Sequence, residues 1–118
     1  MMDIAVKHAK KFGGKILMVT SLKGGVTTSR IEHQTEIDAK NNLEQACTYF
    51  ESCGVECETH LLIRGLEAGE DIVLFAKEES ADEIIMSVKK RSKVGKLLFG
   101  STAQVVILDA HCPVLTVK

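Results

Sequence analysis

The residues with the most chemistry to offer lie between Met86 and Thr102. Lys89, Lys90, Arg91, Lys93 and Lys96 place five basic side chains within eight residues, with no acid among them. Gly100-Ser101-Thr102 follows. Gly100 is free to take backbone conformations closed to other residues, and Ser101 or Thr102 can cap a helix that continues through Asp109. Amides at a helix start carry partial positive charge and attract anions. Anion binding is therefore the chemistry this stretch offers, set against a bland reading in which Arg91 and Lys93 merely keep a loop soluble.

Other candidates carry less. Cys47, Cys53, Cys57 and Cys112 sit in apolar or amphipathic segments without a Cys-x2-Cys pair, and are read as reduced, small buried hydrophobes. A metal site at Cys53, Cys57 and His60 would lack a second ligand pair. His60 alone, with no partner carboxylate or cysteine at useful spacing, is read as packed or solvated. Gly24-Gly25 suggests a phosphate cradle, but the Lys-Ser/Thr ending of such a loop is missing, so a connector is expected. Glu78, Glu79, Asp82 and Glu83 have nothing to set them across a cleft and read as solvated surface. No Ser-His-Asp or Cys-His spacing argues for hydrolysis, and no enzyme is expected.

The elements that must position these residues follow from periodicity. Residues 1–12 place Ile4, Ala5, His8, Ala9 and Phe12 on one helical face, and Gly13-Gly14 stops the helix. Lys15–Thr20 fits a buried strand. Ser29-Arg-Ile-Glu32 has the form of a capping box, and Ala39, Leu43, Ala46, Cys47, Phe50 and Cys53 recur at helical steps up to Gly54. Val55–Ile63 alternates like a strand near a sheet edge. Ala68, Ile72, Phe75 and Ala76 share a helical face, with Glu70 and Asp71 at its positive end. Ile84-Ile85-Met86 ends a buried strand, and Val114-Leu115-Thr116-Val117 forms the last one. Alternating helix and strand predicts an α/β fold, an open and mostly parallel sheet with helices on both faces.

At 118 residues the chain is read as a single domain spanning 1–118, able to bury roughly two thirds of its unfolded surface. Four aromatic phenylalanines and one tyrosine leave the core to aliphatic side chains. A net charge of −1 excludes a broad positive field for nucleic acid, and the only aromatic near the basic run is Phe99, read as core. No run reaches the roughly 18 apolar residues that span a bilayer, and the start lacks the apolar core of a signal peptide. A cytoplasmic location without membrane attachment is expected.

Gly100-Ser101, the helix after it and Cys112-Pro113-Val-Leu-Thr-Val resemble the later half of a pattern found in universal stress proteins, and the resemblance covers nearly the whole chain. Members that bind ATP carry Gly-x2-Gly-x9-Gly-Ser/Thr after the fourth strand; here the first two glycine positions are Ser87 and Lys90. The resemblance implies a Rossmann-like fold and a site for ATP or another adenine nucleotide. Gly100, Ser101 and Thr102 would hold phosphates, Ser87 and Lys90 stand at the close-approach positions, Met86 would border the nucleoside and Val19 would line the adenine pocket. A side chain at a glycine position blocks backbone approach, whereas Lys90 reaches a phosphate as a point charge. The resemblance also implies a stress-response module that pairs as a homodimer through residues 113–118. Its alternative is a nucleotide-independent dimer acting on protein partners. The family opens with a central strand that this sequence lacks, so the fold is expected without it: by truncation, by closure of the gap, or with a strand exchanged from a partner.

Overall fold

A computed structural model of the chain describes residues 1–24, 30–88 and 100–118, apart from the side chain of Glu32. Gly25, the capping residues Ser29 and Glu32, the basic run from Lys89 to Lys96, with Lys90 in it, and Phe99 lie outside what is described. Among the described residues four helices alternate with four strands, and every strand pair there is parallel, which is the α/β architecture expected. The chain divides into two compact units, Met2–Leu66 and Glu67–Lys118. Among the described residues no helix is long and apolar enough to cross a membrane.

In the first unit Gly13, at φ +64°, ends α1 (Met2–Phe12), and the Gly14 amide donates back to the Ala9 carbonyl at 2.9 Å. β1 (Ile16–Ser21) follows and pairs with β2 (Cys57–Leu62), Ile16 opposite Cys57 through Ser21 opposite Leu62. Between them runs α2 (Arg30–Ser52), whose Leu43, Cys47 and Phe50 recur at helical steps and are buried with Val55 and Leu62. Burying a side chain of the Leu or Phe class contributes about 1.5–3 kcal/mol, so this α2–β2 cluster is the main support of the unit. Gly54 at φ +80° lets the chain reverse, and the Val55 amide reaches the Phe50 carbonyl at 3.0 Å. Gly24, at φ +60°, closes against the Ile63 side chain with no room for a Cβ.

Two expectations need correction here. Cys47 and Cys57 are joined in a disulfide with Cα atoms 5.4 Å apart, leaving Cys53 and Cys112 as thiols. The reversal at Gly54 brings the start of β2 beside the last turns of α2, a juxtaposition that a ten-residue spacing does not advertise. The same bond takes Cys57 out of any metal set with Cys53 and His60. Phe12, expected on the packed face of α1, is 74% exposed, with His8 edge-on and the Lys11 ammonium 5.8 Å from its ring centre.

In the second unit α3 (Ala68–Glu78), β3 (Ile84–Ser87), α4 (Ser101–Asp109) and β4 (Val114–Val117) form a smaller assembly. β3 and β4 pair from Ile84 opposite Val114 to Ser87 opposite Val117. Phe75, Ala76, Val88, Ala103 and Val106 are buried, Val106 completely. Asp71 lies in the first turn of α3, as expected, and is fully buried there. The strands expected to be buried, β1 and β3, are half-buried, apart from the exposed Ser87 at the end of β3.

Candidate functional site

The site begins with the direction of the β3 backbone. The Ile84 amide donates to the Pro113 carbonyl at 3.0 Å, and the Val88 amide to the Val117 carbonyl at 2.8 Å. Main-chain groups alternate along a strand, so those of Ile84, Met86 and Val88 face β4, while those of Ile85 and Ser87 face the opposite edge. Ser87 closes the strand in an exposed position, Met86 beside it is half-buried, and Val88 is buried immediately beyond. This is the carboxyl end of a parallel strand, where α/β sheets present ligands.

α4 starts from Gly100, its N-cap, in extended conformation at φ −68° and ψ 168°, with no side-chain cap. Gln104 makes the first helical bond back to the Gly100 carbonyl at 3.0 Å, so the amides of Ser101, Thr102 and Ala103 come before it. Two details depart from expectation. The φ of Gly100 is open to any residue, so its backbone conformation does not require glycine. Ser101 and Thr102 lie inside the helix and neither caps it, because Gly100 already occupies the cap.

The position of α4 depends on a residue that sequence reasoning passed over. A Cβ built on Gly69 would lie 2.8 Å from Val105 Cβ and 3.1 Å from the Thr102 carbonyl oxygen. Only a hydrogen lets α3 approach the first turn of α4 this closely. The available signal was spacing: Gly69 shares the buried face with Ile72 and Ala76, three and seven residues on.

Met86, Ser87, Gly100, Ser101 and Thr102 therefore belong to one unit, at the end of β3 and the start of α4. Val19 belongs to the other, half-buried in β1. Hydrogen bonds from Ile16 to Glu56 and from Leu22 to Leu62, both 2.8 Å, turn the even-numbered amides of β1 toward β2, so the main chain of Val19 faces the opposite edge.

Two other polar features lie apart from this. Lys15 Nζ is 3.1 Å from Glu58 Oε2, and the lysine holds the Glu58 carboxyl below its ordinary range. His60, expected to have no carboxylate partner, places Nε2 at 3.8 Å from the same oxygen, since residues two apart on a strand share a face. A surface hollow of about 640 Å³ is lined by Ala9, Lys10, Gly13, Gly14, Lys15 and Gly54, among others. It lies at the carboxyl ends of α1 and α2, where the helix dipoles are negative and disfavour phosphate.

The universal stress protein family profile matches residues 1–118. A universal stress protein of Methanocaldococcus jannaschii is 44% identical over 81 residues, covering 69% of this chain and 46% of its own length. The chain spans about half the length of the curated relatives it matches. The structure of a universal stress protein from Archaeoglobus fulgidus superimposes with a TM-score of 0.88 at 41% identity, over 99% of this chain and 86% of that one. A universal stress protein from the same organism in complex with dAMP gives 0.83 at 36% identity, over 99% and 84%. The parallel α/β architecture, the glycine-capped helix after β3 and these likenesses lead to one conclusion: the chain belongs to the universal stress protein family.

Proposed function

We propose that this chain is a non-catalytic, cytoplasmic stress-response module that binds ATP or another adenine nucleotide, with phosphates on the first turn of α4. The observation that carries the reading is the uncapped helix start, where Gly100 offers no side chain and the amides of Ser101 to Ala103 lack helical partners. The relative in complex with dAMP supports the ligand class. Ser101 and Thr102 add hydroxyls, Met86 borders the nucleoside and Lys90 supplies a point charge. Calorimetry with Mg-ATP tests this. Gly100→Val puts a branched side chain over the amides and abolishes binding, and equal affinity in variant and parent would refute the assignment. Ser87→Gly combined with Lys90→Gly restores both close-approach positions and tightens binding.

The module pairs as a homodimer through residues 113–118. The bonds that orient β3 also orient β4: Pro113, Leu115 and Val117 face β3, while the amides of Val114 and Thr116 point to the other edge. An apolar edge with outward donors favours pairing with a two-fold mate. Thr116→Pro deletes an outward donor and spares the inward ladder, so light scattering at tens of micromolar finds a dimer in the parent and a monomer in the variant. A parent that dimerises yet binds no nucleotide would favour the second reading, a nucleotide-independent module acting on protein partners.

A further inference from the structure

Cys47, Cys53 and Cys57 share one helix-turn-strand passage, yet they differ in access. Cys47 is 5% exposed and sits in the core with Phe50 and Val55, whereas Cys57, the first residue of β2, and Cys53 are half-exposed. The disulfide thus joins a buried residue to a half-exposed one. Exposed disulfides belong to the labile kind rather than the sequestered kind.

We propose that Cys47 and Cys57 form a reversible redox modification site, closed by a low-molecular-weight disulfide such as oxidised glutathione and opened by thiols. In opening, a thiolate attacks Cys57 Sγ, the Cys47–Cys57 bond breaks, and Cys47 leaves with the electron pair and takes a proton from water. A second thiolate attacks the outer sulfur of the mixed disulfide, releasing Cys57 and forming the external disulfide. Closure is the reverse: two cysteine thiols are oxidised and one external disulfide is reduced to two thiols. Attack falls on Cys57, the more exposed residue of the pair.

The bond clamps the start of β2 to the last turns of α2 across the Gly54 reversal. Cys57 forms the first rung with Ile16, and Val55 just before it is part of the core, so opening loosens residues 55–58 first. Closing a loop with a sequence separation of 10 changes the unfolding equilibrium constant roughly a hundredfold in the chain-entropy picture.

The full chain is equilibrated in glutathione buffers from fully reduced to fully oxidised, alkylated under denaturing conditions and analysed by mass spectrometry. The expected result is one reversible transition between four reactive thiols and two, with Cys47 and Cys57 the pair. Hydrogen exchange at residues 55–58 slows on oxidation, and the melting temperature rises. Cys53→Ser keeps this behaviour, and Cys57→Ala abolishes it; the parent protein with and without dithiothreitol gives the same comparison should that variant not fold. Four reactive thiols across the whole range, a pair that includes Cys53, a bond that thiols do not reopen, or exchange at 55–58 unaffected by oxidation would each overturn the proposal.

Discussion

Replacing Gly69 with alanine tests whether the first turn of α4 is held by contact with α3. Two effects favour the variant: alanine is a better helix former by about 0.5–1 kcal/mol, and a well-housed methyl group adds about 0.8 kcal/mol of burial. The geometry denies the second. The new Cβ would stand 2.8 Å from Val105 Cβ, an atom fixed to the backbone that no rotamer change can withdraw, and 3.1 Å from a main-chain oxygen of Thr102. Relief therefore requires α4 itself to move, and overpacking of this kind costs about 1–3 kcal/mol. The clash outweighs the gain in propensity, for a net destabilisation of about 1 kcal/mol. With urea slopes near 2 kcal/mol per molar, the unfolding midpoint falls by about 0.5 M at unchanged slope. Gly69→Val falls further. A Gly69→Ala protein as stable as the parent would show that α3 does not set the place of α4.

Val106 is fully buried and Leu108 is 79% exposed on the same helix, so Val106→Ala costs about 2 kcal/mol in urea unfolding while Leu108→Ala stays within about 0.5 kcal/mol. Equal losses would contradict the placement of α4. Tyr49 is the sole tyrosine and there is no tryptophan, so phenolate absorbance reads it alone. Its hydroxyl donates to Asp3 Oδ1 at 2.7 Å, and this bond, with Cys53 adding to it, pushes the phenol up to about 12. A raised value means that the contact stabilises the fold below pH about 10 and is lost as pH climbs through about 12. The absorbance midpoint accordingly drops toward 10 in Asp3→Ala, and a parent midpoint already at 10 would refute the bond.

Element order was legible because each segment carries one dominant period. Leu43, Cys47 and Phe50 recur at helical steps and are buried on α2, and the apolar run at Ile84 ends in a strand as its composition implies. Contacts made across chain reversals were not legible. The Cys47–Cys57 bond depends on the turn at Gly54, and the exposure of Phe12 depends on where α1 stops, neither of which periodicity records. The burial of Asp71 was not legible either: an acid in a first helical turn suits the dipole whether it faces water or the interior, so its type says nothing about its burial.

For the candidate site, the reason expected for Gly100 does not hold. Glycine was expected for an unusual backbone angle, yet its φ of −68° would suit alanine. Amides read no side chain of their own, so the direction in which they point is the whole of their selectivity, and that direction is the axis of α4. The axis is set where Gly69 lets Val105 and Thr102 approach α3. On the proposed function, then, a residue with no claim to touch a ligand would govern anion binding more strongly than Ser101 or Thr102, whose hydroxyls would each add one bond to a turn the main chain has already formed. Affinity in Gly69→Ala should accordingly fall by more than in Ser101→Ala, and the reverse order would return the site to its side chains.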